Sequence, residues 1–164
     1  MGEALSIPSG EAMEAFGARL ARCLAGPALI FLRGPLGAGK TTLVRGLLRA
    51  RGHEGPVKSP TYTLVESYPG ADWDIHHFDL YRLGDAGELE YMGIRDFLDG
   101  GAVGLVEWPE RGAGVLPRAD LELELAYAGA GREVTIRALS PKGERIAACL
   151  RQAVGNGMGI AGSE

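Results

Sequence analysis

The run Gly34-Pro35-Leu36-Gly37-Ala38-Gly39-Lys40-Thr41 has the residue types and spacing to hold a phosphate chain. Such an anion needs several donors converging on it. Backbone N–H groups supply them where a loop curls with no side chain in the way, which accounts for Gly34, Gly37 and Gly39. A helix beginning at the loop would add its free N–H groups and the positive end of its dipole. Lys40 is a mobile point charge that can follow β- and γ-phosphates, Thr41 offers a hydroxyl to a magnesium ion, and Thr42 follows in the same turn. The eight residues complete the Walker A pattern, expected by chance in fewer than roughly 1 in 100 chains of this length. Only three of the seventeen basic residues are lysines, Lys40, Lys58 and Lys142. A rare lysine therefore stands at the one position that demands lysine.

A phosphate loop of this kind works with a carboxylate at the end of a neighbouring buried strand. Glu107 closes the apolar run 103–106, and Asp79 lies in the β-branched and aromatic run 75–81. Neither acid can face a polyanionic nucleotide without a cation between them, so their use implies Mg2+. Glu107 is the preferred metal-side acid because its strand is the more continuously apolar. Asp79 could position water, pair with Arg82 or act as a base. Lys58-Ser59-Pro60-Thr61 follows a Gly/Pro-rich connection and could order around a γ-phosphate. His76 and His77 are neighbours on a predicted strand and so face opposite sides. One is expected at the surface and the other packed.

The elements that must position these residues follow from periodicity. Ser9 can cap a helix to about residue 25. Residues 28–32 form a continuous apolar run suited to a strand buried on both faces, and a helix is expected over 41–50. Runs 61–68 and 75–81 read as a hairpin. Short helices are expected over 85–92 and 94–98, and a buried strand over 103–106. Alternation in 121–127 and 134–138 about the Gly129–Gly131 turn gives a second hairpin with one wet face. A last helix is expected over 143–154. The fold class is α/β, a P-loop NTPase domain built as a three-layer sandwich on a mixed sheet, with a parallel centre and added antiparallel strands. One domain is expected over 1–154, with a disordered glycine-rich tail over 155–164.

A chain of 164 residues is long enough for one core. No apolar run approaches the ~20 residues that span a bilayer, so no membrane partner is expected. The start lacks the basic and apolar segments of a signal peptide, which makes the cytoplasm the expected compartment. Cys23 and Cys149 are expected as two buried reduced thiols, as suits that compartment. The formal charge of −4 argues against tight nucleic-acid binding by bulk electrostatics.

The single asparagine, Asn156, rules out the Asn-Lys-x-Asp segment that reads guanine. Arg95 and Arg111 are available arginines, but no long lid insertion of a small-molecule kinase is evident. ATP hydrolysis coupled to a partner is the remaining reading. Five segments then become recognisable: GPLGAGKTT at 34–42, VKSPTYTLVE at 57–66, HFDLYRL at 77–83, ELEYMGIRD at 88–96 and LVEWP at 105–109. In order and spacing they resemble the TsaE (YjeE) family, the ATPase component of bacterial tRNA threonylcarbamoyladenosine biosynthesis. Only the 84–87 approach to the fourth segment is looser than the family pattern.

The resemblance implies a P-loop α/β domain that binds ATP or ADP with Mg2+ and hydrolyses slowly alone. It implies work in a complex with TsaB and TsaD, meeting tRNA only indirectly while TsaD transfers the threonylcarbamoyl group. By position, Thr41 and Glu107 resemble the magnesium-binding residues, and residues 36–41 match the nucleotide loop. Asp79, Thr61 and Trp108 match positions expected to matter for hydrolysis or coupling. Ser9 and Arg132 lie where adenine or ribose would be contacted. A nucleotide-dependent scaffold with little turnover and a small-metabolite kinase are the alternatives.

Overall fold

The two most apolar strands of the chain lie at the centre of its sheet. The computed structural model describes residues 3–99 and 101–157. In chain order the elements are β1 (Glu3–Ile7), α1 (Gly10–Cys23), β2 (Leu29–Arg33), α2 (Lys40–Ala50), β3 (Val65–Tyr68) and β4 (Ile75–Asp79). There follow α3 (Gly87–Tyr91), α4 (Ile94–Asp99), β5 (Val103–Glu107), a 3-10 turn (Pro109–Gly112), β6 (Leu121–Ala128), β7 (Gly131–Ala138) and α5 (Pro141–Gly157). The sheet order is β1-β7-β6-β2-β5-β4-β3. Strands β6, β2, β5 and β4 run parallel, while β7, β1 and β3 are antiparallel additions at the two sides. Every residue of β5 and the first four of β2 are buried, as strands covered on both faces must be.

The larger core lies between the sheet and α1, α2 and α5, and includes Phe16, Leu20, Leu43, Leu47, Ile30, Leu32, Leu105, Leu123 and Leu150. The second, with Phe31, Phe78, Val106, Leu89 and Ile94, lies under α3 and α4 on the other face. These layers make the expected three-layer sandwich. Two glycines let α1 and α2 pack unusually close. A Cβ on Gly17 would come 2.0 Å from the Leu43 carbonyl, and one on Gly46 2.0 Å from that of Glu14. That tight packing fixes the start of α1 relative to the start of α2, where the phosphate loop ends.

Several expectations need correction. The edge strand β1 was not anticipated. It alternates Leu5 and Ile7 into the core over only five residues, too few for periodicity to stand out. The strand expected from residue 61 begins at Val65. Before it the chain turns, with Leu64 N–H bonded to Pro60 O and Leu64 held at φ 73°. Cys23 and Cys149 are joined in a disulfide rather than reduced, because α1 and α5 pack side by side on one face. The last helix extends to Gly157 and so takes in the first residues of the expected tail. Residues 158–164 of that tail lie outside the described residues.

Candidate functional site

The glycine-rich loop leaves the end of β2 and enters α2 directly. Gly34, Gly37 and Gly39 take φ values of 144°, 78° and 110°, a region costly for any residue with a Cβ. Gly39 is the residue before α2 and gives it no side-chain cap, and no acidic residue occupies the first turn. The helix therefore opens with N–H groups unclaimed by side chains, as an anion site requires. Hairpin β6–β7 clasps the loop from outside. Tyr127 Oη donates to Leu36 O, and Arg132 donates to Gly37 O at 3.1 Å with its guanidinium 4.5 Å over the Tyr127 ring.

Lys40 is 5% exposed and donates to the loop carbonyls of Gly34 and Pro35. Burial pulls its ammonium below the ordinary lysine range, opposed by the charges of Glu107, then Asp79 and Glu110. Its Nζ lies 4.4 Å from the centre of the Trp108 ring, a cation–π contact. Trp108 adopts the left-handed conformation at φ 57° and ψ 50°, uncommon for a residue preceding proline. The turn brings its ring against Tyr81, with centroids 5.1 Å apart.

Parallel pairing of β4 and β5 puts Asp79 directly beside Glu107 at the carboxyl ends of the strands. Ligands characteristically bind there in open α/β sheets. Both acids are buried. Thr41 Oγ1 approaches Glu107 Oε2 at 3.4 Å. These two hard oxygen donors suit magnesium, which retains waters and takes further ligands from phosphate. Asp79 accepts Thr61 Oγ1 on one oxygen at 2.9 Å and the Tyr81 backbone N–H on the other at 3.0 Å. Arg82 does not pair with it. Its guanidinium lies 4.4 Å over the ring of the exposed Tyr62.

Leu36, Gly37, Gly39, Lys40, Thr41 and Thr42 line a cleft of about 220 Å3 with Ser59, Thr61, Asp79, Glu107 and Trp108. A pocket of about 190 Å3 adjoins it, sharing Gly37, Gly39 and Thr42. That pocket brings together Ser9, Ala38 and Arg132 with Ile7, Met13 and Gly131. Ser9 also caps α1, accepting the Ala12 N–H at 3.1 Å. Gly34 lines neither space, but its carbonyl holds Lys40. Lys58 is exposed and lines neither.

The histidine pair does face opposite ways, but its packed member belongs to the site. His77 is wholly buried, with Nε2 2.6 Å from Glu107 Oε2. His76 is half-buried on the other face, bonded to Ser67 at 2.8 Å and packed edge-on to Phe97. Burial lowers its pKa from the ordinary histidine value, with Asp74 opposing. Sequence reasoning missed the bearing of His77 on Glu107 and the clasp from Tyr127. Strand register creates the first contact and the β6–β7 hairpin the second, so neither has a local sequence signal.

Three comparisons bear on this geometry. The family model for the threonylcarbamoyl adenosine biosynthesis protein TsaE matches residues 7–134. The tRNA threonylcarbamoyladenosine biosynthesis protein TsaE of Haemophilus influenzae is 51% identical over 118 residues, covering 72% of this chain and 75% of the relative. The protein of the same name from Bacillus subtilis is 34% identical over 131 residues, covering 79% and 82%. In three dimensions the chain superposes on the crystal structure of Bacillus subtilis YdiB with a TM-score of 0.77 and 28% identity, covering 93% of this chain and 97% of the other. The match includes the phosphate loop, both carboxylate strands and the β6–β7 hairpin as far as residue 134, and on that extent the chain belongs to the TsaE family.

Proposed function

We propose that this protein is a Mg2+-dependent ATP-binding and ATP-hydrolysing subunit in tRNA threonylcarbamoyladenosine biosynthesis, supporting turnover by a TsaB–TsaD transferase in the cytoplasm. Family membership supports the pathway. The observation that carries the chemistry is the gathering of Lys40, Thr41, Asp79 and Glu107 in one cleft at the strand ends, beside a second pocket reached across the same loop.

In this reading the α2 N-terminus and the loop N–H groups cradle the phosphates. Lys40 leaves the loop carbonyls for phosphate oxygens, and the adjoining pocket between Ser9 and Arg132 takes the nucleoside. Thr41 and Glu107 hold magnesium, which when bound neutralises phosphate charge. Asp79 orients the attacking water, with its own carboxylate fixed by Thr61 and Tyr81. Trp108 packs over Lys40 and limits access of bulk water to that side. The acidic chain reaches tRNA only through its protein partners.

The test is phosphate release by the purified chain with and without a TsaB–TsaD pair. Slow release alone and marked stimulation by the pair are expected. Negligible release under both conditions would leave a nucleotide-dependent scaffold, and phosphate appearing on a small molecule would make the chain a kinase.

A further inference from the structure

The His77–Glu107 contact has a feature that packing alone does not explain. Ile75, His77 and Asp79 share the face of β4 that looks toward α1 and α2, as do Val103, Leu105 and Glu107 on β5. His77 is level with Leu105 in the strand register, and its ring reaches diagonally to Glu107. The imidazole is entirely shielded from water, yet among the described residues Nδ1 has no hydrogen-bond partner. The ring proton is therefore assigned to Nε2, where it donates to Glu107 Oε2 at 2.6 Å. A buried ring with one unsatisfied nitrogen is a poor way to fill a core. An apolar side chain would satisfy that position better, unless the donor at Nε2 is what matters.

The donor acts on one oxygen only. Among the described residues, both hydrogen bonds to the Glu107 carboxylate, from His77 and from Thr41, fall on Oε2. None of the described residues donates to Oε1. The carboxylate is thus oriented from the core side by a rigid strand residue and from the loop side by the first turn of α2.

We infer that His77 is a positioning residue for the divalent-ion site: its Nε2–H fixes the Glu107 carboxylate in the orientation that receives the ion, before nucleotide arrives. The inference rests on the reading of Thr41 and Glu107 as magnesium ligands. A long glutamate side chain free to rotate must be ordered when the ion binds, whereas one already held by a short hydrogen bond need not be.

The experiment compares ATP affinity by calorimetry in magnesium and in EDTA, so that the readout is the magnesium-dependent gain in binding rather than turnover. His77→Leu is expected to cut that gain about tenfold while leaving affinity in EDTA within about twofold, as loss of a charge-assisted hydrogen bond implies. His77→Gln can place an amide N–H near the Nε2 position and is expected to keep most of the gain. His77→Asn is polar but too short to reach, and is expected to behave like His77→Leu. It serves in place of His77→Leu if that variant fails to fold, as judged by circular dichroism and thermal unfolding. A folded His77→Leu or His77→Asn protein with the full wild-type gain overturns the positioning role, as does equal loss in His77→Gln. If the wild-type protein itself gains nothing from magnesium, the metal reading falls and takes this inference with it.

Discussion

Glu107 and Asp79 are register partners at the ends of adjacent parallel strands, equally buried, and held by different parts of the molecule. Glu107 is gripped by His77 from inside the sheet and by Thr41 from the first turn of α2. Asp79 is gripped by its own chain two residues on and by Thr61 in the turn before β3. That turn carries the exposed Tyr62 and ends at Leu64 in a left-handed conformation. The first carboxylate is therefore set by the fold itself and the second by an irregular surface segment. Two acids with the same burial can differ in what moves them. A change in the 59–63 segment reaches Asp79 directly and Glu107 only through the strand pairing.

Replacing each acid by its amide is the strongest way to break this comparison. Glu107→Gln keeps volume and an acceptor for His77 but removes the charge that, in the proposed reading, holds magnesium. Metal-assisted catalysis is worth several kcal/mol. Losing ~3 kcal/mol of it lowers hydrolysis about 100-fold. ATP affinity in EDTA should stay within a few-fold of wild type. Asp79→Asn weakens charge-assisted hydrogen bonds rather than an ion site, so about tenfold in hydrolysis is expected. Single-turnover phosphate release and calorimetry on both variants measure the contrast. Equal losses in both would mean that the two carboxylates share one role.

The same contrast between local and non-local determinants separates what is legible in the sequence from what is not. The phosphate loop was legible because its chemistry is contiguous, with each glycine, Lys40 and Thr41 working at fixed local spacing. Glu107 and Asp79 were legible as acids ending apolar runs. Their adjacency was not, because it depends on β5 inserting between β2 and β4, a non-local choice of strand order. His77 is missed for a related reason. Alternation shows that it faces away from His76, but only the register shows that it faces Glu107. The disulfide joins residues 126 apart and depends on α1 and α5 sharing a face. The start of β3 was misplaced because Thr61 and Tyr62 have β-prone side chains, whereas the Thr61 hydroxyl is engaged by Asp79 and the backbone turns beneath it.

Thr61→Val sharpens the comparison from the loop side. Valine keeps the shape and removes the hydroxyl, leaving Asp79 one donor short. A hydrogen bond to a charged group contributes ~1.5–3 kcal/mol, and Ser59, 2.7 Å from Thr61 Oγ1, is near enough to take over part of it. Destabilisation of about 1 kcal/mol is expected. Hydrolysis should fall a few-fold and the magnesium-dependent gain in ATP affinity should be unchanged, because Glu107 is untouched. Thermal unfolding, phosphate release and calorimetry report the three quantities. A lost magnesium gain would show that the two carboxylates are coupled through more than strand pairing.

The smallest effect is read at Lys40, which lines the same cleft as the two acids and feels both. Burial lowers its pKa, while Glu107 raises it most and Asp79 next. Because the folded-state value lies below that of the unfolded chain, the unfolded state binds more protons between the two. Stability contributed by this group therefore rises as pH climbs from the depressed value toward 10.5. Removing either negative charge lowers the folded-state pKa further and widens that window on its acid side. Glu107→Gln should lower it more than Asp79→Asn does. The chain has only Lys40, Lys58 and Lys142, so the Lys40 side-chain resonance can be assigned and titrated by NMR in nucleotide-free protein. If Asp79→Asn moved Lys40 further than Glu107→Gln, the carboxylate held by the loop would be the one that sets the charge of the cleft, and the division drawn between the two acids would have to be reversed.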